Sequence, residues 1–178
     1  MKTKIDPFDY AREILKALPK GILVVSRAGS AVDAMTIGWG ALGIEWGIPI
    51  FTAYIREGRF TRELIDKNPE FVVSVPRGDA ARKITAFCGS RSGRDVNKIK
   101  ELGLTLVDPE VVSVPAVAEL PITLECRVAY RQPQPRELIP VPFQERFYPS
   151  DIGSEACGSN RDPHVAYYGE IVSAYIID

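Results

Sequence analysis

The side chains best suited to chemistry in this chain are hydroxyls and cations scattered over the ends of several segments. Thr36 lies in "DAMTIGWG", Arg56, Arg59 and Thr61 in "YIREGRFT", and Ser74 in "VSVP". Ser92, Arg94 and Lys98 belong to "CGSRSGRDVNK", residues 88–98, which packs glycines, hydroxyls and positive charges between two helix-like runs. Taken singly, each reads as a surface residue or a helix cap. Taken together they can grip one phosphate, because charge-assisted hydrogen bonds from Arg and Lys contribute about 1.5–3 kcal/mol each when partly buried. Arg59 and Thr61 stand where a helix begins, so free amides and the helix dipole favour an anion there.

Other chemistries fare worse. "GSRSGRD" lacks the Lys-Ser/Thr pair of a P-loop, and no GxGxxG follows the first strand. The single histidine, His164, and the absence of CxxC or HExxH leave a closed zinc site without ligands. No GxSxG elbow presents a serine nucleophile. His164, at a strand start, reads as structural or solvent-exposed. Cys88 precedes a basic loop that would lower a thiol pKa, but the blander reading is a small buried hydrophobe ending a helix. No side chain is assigned a catalytic role.

The totals bound the rest. A length of 178 residues, 46% hydrophobic and 25% charged, suits one globular domain over 1–178 with a substantial core. A net charge of -1 provides no bulk attraction for nucleic acid or an anionic membrane, so any bound anion must be held by a local cluster. Asp6, Asp9, Arg12 and Glu13 interrupt any export-signal core, and no apolar run has bilayer-spanning length. A cytoplasmic protein with Cys88, Cys126 and Cys157 as free thiols is expected.

Several elements position these residues. "PFDYAREILKAL" is predicted as a helix stopped by Pro19 and Gly21. "GILVVSRA", "AGSAVDAMTIGWGALGI", "IPIFTAYI" and "EFVVSVP" read as strands. "TRELIDKN" reads as a helix capped by Thr61, "DAARKITAFC" as one capped by Asp79, and "RDVNKIKELG" as one ending at Gly103. "PITLECRVAY" alternates strictly, with Ile122, Leu124 and Cys126 on one face and Thr123, Glu125 and Arg127 on the other. "HVAYYGEIVSAYIID" is the last strand, with Gly169 marking a bulge or close backbone approach. The proline-rich stretch 131–163 is predicted to be a long loop, functional or disordered. Strands dominate and helices are short, which argues for an antiparallel barrel or sandwich.

"DAMTIGWG", "IREGRFTRELI", "EFVVSVP", "CGSRSGRDVNK" and the closing "ERFYP…DPHVAYYGEIVSAYI" resemble, in order, the flavin reductase-like, FMN-binding split-barrel family, its flavoredoxin-type members most of all. The resemblance runs from about Gly21 to the C-terminus. It implies a mainly β, Greek-key split barrel that forms a homodimer and binds FMN at or near the subunit interface. By that likeness Met35 and Thr36 line the flavin, Trp39 packs by the ring, and Arg59, Thr61 and Lys98 reach the phosphate. Ser92, Gly93 and Arg94 close over the ribityl-phosphate, with Arg56 and Ser74 nearby. Phe60, Tyr167 and Tyr168 are further candidates for the apolar wall, and backbone amides of 35–38 for the ring's polar edge. Asp33 and Ser74 depart from the family pattern, which has asparagine at both positions in many members. The implied function is electron transfer from NAD(P)H through FMN to a flavin, a metal complex or a protein. The alternatives are a flavoredoxin-type carrier reduced by a protein partner, and a flavin-free split-barrel binding module.

Overall fold

The computed structural model describes residues 1–78, 81–151 and 161–178. The chain runs β1 (Lys2–Lys4), α1 (Ala11–Ala17), β2 (Ile22–Ala28), β3 (Ala31–Ile37), β4 (Gly40–Glu45), β5 (Ile48–Arg56) and α2 (Phe60–Lys67). It continues through β6 (Glu70–Val75), α3 (Arg82–Ser90), α4 (Lys98–Leu102), β7 (Leu106–Val107), β8 (Ala116–Val117), β9 (Ile122–Pro133), α5 (Val141–Phe147) and β10 (His164–Ile177).

All strand pairs are antiparallel, and the main sheet has the order β3-β2-β6-β9-β10-β5-β4, with β1 added to β10. The two edge strands, β3 and β4, are consecutive in sequence and are joined by Gly38 and Trp39. Side chains from both edges and from every strand between them meet in one interior: Met35, Val24, Val73, Leu124, Val165 and Phe51 are all buried in it, with Leu42 packed against them. The sheet is therefore a split barrel whose seam lies between β3 and β4.

A second core lies outside the barrel wall. Leu23, Val25, Ala34 and Val72 pack there against Cys88 of α3 and against Val112, Val114 and Leu120. This double burial explains why β2 and β6 read as nearly continuous apolar runs. Both faces need side chains that leave water. It also buries Thr123 and Glu125 on the polar face of β9, leaving Arg127 exposed. Glu125 is fully enclosed, accepting the backbone N–H groups of Glu110, Val111 and Val112 at 2.7, 2.7 and 3.1 Å and the Tyr175 hydroxyl at 2.9 Å.

Several expectations change. The run 28–44 holds most of two strands, split at Gly38–Trp39. The helix expected over 94–103 is confined to Lys98–Leu102, where Asn97 caps it by accepting the Lys100 N–H at 3.0 Å, and Gly103 ends it at φ 60°. Within the supposed loop 131–163, β9 continues to Pro133 and α5 forms, its first-turn proline sitting where no backbone donor is needed. The Asp79 cap and Cys157 lie outside the described residues. Gly169 does mark a shifted register. A Cβ there would stand 2.5 Å from the Phe71 ring, so the backbone of β10 crosses the barrel interior too closely for any side chain.

Candidate functional site

The site is a groove along β3, formed by three cavities that share walls. At its first end, β3, α2 and the 91–98 segment converge on Asp33. That carboxylate is 3% exposed, and both its oxygens are engaged. Oδ1 lies 2.9 Å from Lys98 Nζ, and Oδ2 accepts the Thr61 hydroxyl at 2.6 Å. Lys98, equally buried, also donates to the Ala34 carbonyl at 2.7 Å. Gly93 lies directly on this knot: a Cβ would be 2.4 Å from Asp33 Oδ1 and 2.7 Å from Phe60 Cδ1. A charge pair out of water is retained only when its remaining hydrogen-bonding capacity is filled, and here the hydroxyl and the carbonyl fill it.

Above the knot is a cavity of about 80 Å³ whose walls include Met35, Thr36, Arg59, Phe60, Thr61, Ser92, Gly93, Arg94 and Lys98. This is the smallest of the three cavities, a scale that suits a phosphate better than a ring system. Arg94 spans the outer wall, donating to the Gly58 carbonyl at 3.1 Å, pairing with Glu63 and covering the Phe60 ring at 5.7 Å. Ser92 Oγ accepts the Arg94 N–H at 3.2 Å, tightening the loop. Thr36 donates to the Thr85 carbonyl at 2.6 Å, tying β3 to α3.

As an edge strand, β3 turns alternate backbone groups away from β2. Ala34 does so, since its carbonyl meets Lys98. By the same alternation Thr36 presents its own N–H and C=O toward the seam.

Met35, Thr36 and Arg59 also wall the middle cavity, of about 180 Å³, together with Trp39, Tyr54, Arg56 and His164. His164 opens β10 beside Arg56 and is buried. Its Nδ1 is 2.7 Å from the Tyr148 hydroxyl, and its ring lies 4.7 Å from that of Trp39. Burial first, then the positive charges of Arg56 and Arg59, push the imidazole pKa down to about 3, so the ring is neutral throughout the physiological range. Arg56 donates to the carbonyls of Asp162 at 2.8 Å and Phe147 at 2.9 Å, and its guanidinium lies 4.9 Å from the Tyr148 ring centre. It thereby clips the end of α5 to β5. Gly38, Trp39 and Tyr54 pass from the middle cavity into a third hollow of about 840 Å³ under α5.

The structure thus brings together Met35, Thr36, Arg59, Thr61, Ser92, Gly93, Arg94 and Lys98 at one cavity, and Trp39 and Arg56 at the next. Ser74 is not among them. It sits near the end of β6, fully buried toward the outer core, with a hydroxyl that finds no hydrogen-bond partner. Thr61 does not cap α2. Arg59 holds the N-cap position, and the Thr61 hydroxyl turns inward to Asp33. Tyr167 faces the barrel interior, its hydroxyl donating to Asp66 at 2.7 Å, and Tyr168 pairs with Tyr130 outside the groove. Cys88 lines the small cavity, but burial raises its thiol to about 11, which makes it an inert packing group. Sequence reasoning missed the central place of Asp33 and the roles of Tyr148, Phe147 and His164. No local pattern in the proline-rich stretch signals that it folds back onto Trp39. Among the described residues no cluster of His, Cys, Asp and Glu could hold a metal ion, and no helix is long and apolar enough to cross a membrane.

Residues 15–178 match the sequence profile described as the flavin reductase like domain. An uncharacterized protein of Archaeoglobus fulgidus is 34% identical over 96 residues, 54% of this chain and 53% of its own length. The uncharacterized protein YddH of Escherichia coli is 34% identical over 97 residues, 54% and 50% of the two chains. The matched region therefore spans about half the length of these curated relatives. Among solved structures, an FMN-binding domain of a flavin reductases-like enzyme from Shewanella baltica superposes with a TM-score of 0.66 at 20% identity, covering 99% of this chain and 78% of its own. Flavoredoxin from Methanosarcina acetivorans gives 0.65 at 22% identity, covering 88% and 67%. The Streptomyces globisporus NADH:FAD oxidoreductase SgcE6 gives 0.62 at 18%, covering 97% and 86%. At these identities the likeness is one of fold.

Proposed function

The chain belongs to the flavin reductase-like domain family, and from that premise we propose that it is an FMN-holding oxidoreductase, working as one domain over residues 1–178 and as a homodimer. The observation that carries this reading is the continuity of the groove. It begins at a small polar cavity at Asp33 and Arg59, follows β3 to Ile37 and, past the bend at Gly38, ends in aromatic walls at Trp39. That is the layout a molecule with an anionic tail and a flat ring system requires.

In this reading Arg59, with Ser92 and Arg94 of the covering loop, receives the phosphate. Lys98 and Thr61 contribute by holding Asp33, and through it the loop, in place. Met35 and Trp39 flank the ring, and the outward N–H of Thr36 is a donor for its polar edge. The flavin, when bound, supplies the hydride chemistry, accepting from NAD(P)H and passing electrons to a flavin, a metal complex or a protein. The protein supplies position and positive potential, and no side chain need act as acid or base. Ile44 and Trp46, 69% and 59% exposed at the tip of the β4–β5 hairpin, are apolar surface for a second copy to cover.

The test is visible absorbance of the purified protein, followed by titration with FMN and then with NADH or NADPH. Yellow protein that bleaches with a nicotinamide is expected. Protein that stays colourless after incubation with FMN overturns the reading, and a flavin reduced only by a protein donor makes it a carrier instead. Arg59→Ala should weaken FMN retention about tenfold, the worth of one charge-assisted contact of ~1.4 kcal/mol, with the denaturation midpoint unchanged.

A further inference from the structure

The hollow beyond Trp39 is larger than the rest of the groove and chemically unlike it. We propose that it is a binding site for a small, flat, uncharged ring compound of quinone type, and that it takes this ligand beside the flavin ring; that placement rests on the functional reading above.

The hollow of about 840 Å³ falls within the range of small-molecule sites, roughly 300–1,000 Å³. Its floor is Leu18 and Pro19, one wall is Trp39 and Tyr54, and the other is Phe143 and Phe147 of α5. Rings set the shape of this space. Trp39 meets Phe147 edge-on at 5.3 Å, and Phe143 lies nearly parallel to Phe147 at 6.2 Å. Walls of this kind favour flat aromatic guests through offset and edge contacts.

Charge decides the ligand class. None of the described residues lining the hollow is Asp, Glu, Lys or Arg. Three cations stand behind these walls: Arg56, directed at the carbonyls of Asp162 and Phe147; Arg136, directed at the Tyr148 carbonyl, Gln144 and Ser150; and Arg146, over the Phe147 ring at 5.0 Å. An anionic ligand entering here gives up hydration and meets no cation among the described lining residues themselves, which is unfavourable for the phosphates of a nucleotide. A neutral ring carrying carbonyls loses far less. Gln132 and Gln134 bring the side-chain amides of the lining, a match for such carbonyls. The contrast with the small cavity, where Arg59, Arg91, Arg94 and Lys98 all gather, assigns the anion to one end of the groove and the neutral ring to the other.

Calorimetric titration of the flavin-free protein with duroquinone and with anthraquinone monosulfonate tests the assignment. Duroquinone has no open ring position for thiols to attack, so reaction at cysteine does not confuse the result. Duroquinone should bind, and the sulfonate at least tenfold more weakly. Phe143→Glu, at a position 54% exposed and therefore tolerant of charge, should weaken duroquinone binding at least tenfold and leave FMN uptake and the denaturation midpoint unchanged. Equal affinity for the two quinones, or duroquinone affinity unaffected by Phe143→Glu, overturns the proposal. So does a Phe143→Glu variant that turns a dimer into monomers while duroquinone affinity holds, since the face would then belong to a second copy. Wild-type protein that binds duroquinone but never takes up FMN overturns the placement beside a flavin and leaves the ring site standing.

Discussion

The two ends of the groove are held by opposite physics. At the Asp33 end a buried ion pair, a buried hydroxyl and a glycine with no room for a Cβ make one interlocked unit. At the Trp39 end the walls are apolar rings, several of them half exposed, and the imidazole of His164 between the ends is kept neutral. A charged knot fails abruptly when one member is lost, because the remaining charge stays buried without a partner. An apolar wall fails gradually, by the area it loses. In the proposed reading the first end would fix where an anion sits, and the second would adapt to different rings.

The largest expected effect follows from breaking the knot. Asp33→Ala leaves the Lys98 ammonium, 2% exposed, with only the Ala34 carbonyl, and should cost about 3–5 kcal/mol in urea denaturation. Replacing both members, Asp33→Ala with Lys98→Met, should recover most of that loss, because no charge then remains buried. Recovery of stability without recovery of FMN affinity would show that the pair serves the site; equal losses in the single and double variants would show that the pair is not the source of the rigidity. Next in size is Gly93→Ala. The added methyl would lie 2.4 Å from Asp33 Oδ1 and 2.6 Å from Asp33 Cγ, and neither can retreat while Lys98 and Thr61 hold the carboxylate. A cost of about 3 kcal/mol is expected, with loss of FMN uptake, as the loop lifts off the cavity. If Gly93→Ala melts like the wild type, the loop does not rest on the knot.

The same contrast explains what could be read from the chain alone. The gathering at the charged end was legible because its residues are polar types placed at element ends, in short blocks that keep their order: "DAMTIGWG", "REGRFT" and "CGSRSGRD" each hold residues that line the small cavity. The barrel was legible from the alternation in β9 and the apolar runs of β2, β5 and β6. What could not be read was pairing at a distance. Asp33 lies 28 residues from Thr61 and 64 separate Lys98 from Ala34, so nothing local reveals that Asp33 is the anchor and not a free charge. Ser74 misled for the mirror reason. Its side chain faces the outer core, and that direction depends on a second layer, formed by α3 and residues 104–120, that strand alternation does not announce. The ring end was least legible. Prolines at 135, 140 and 142 look like loop formers, yet they start the turn and the helix that carry Phe143, Phe147 and Tyr148 to Trp39.

The smallest effect concerns the neutral end and has a clear sign. His164 is the only histidine in the chain, so its titration is not confused with another's. Its pKa is about 3 in the folded state and 6.5, the ordinary value, when unfolded. Below pH 6.5 the unfolded chain takes up a proton that the folded chain refuses, so the stability contributed by this site is complete above 6.5 and is lost progressively as the pH falls toward 3. Between pH 7 and pH 5, above the range in which ordinary carboxylates titrate, this amounts to about 2 kcal/mol. His164→Gln has no proton to gain and can still meet the Tyr148 hydroxyl. Its denaturation midpoint should therefore change less over the same interval, the two curves converging as the pH falls. Parallel curves would mean that the imidazole takes up its proton within the fold. The groove between Arg56 and Arg59 would then tolerate a third positive charge, and the division between a charged end and a neutral end would not hold.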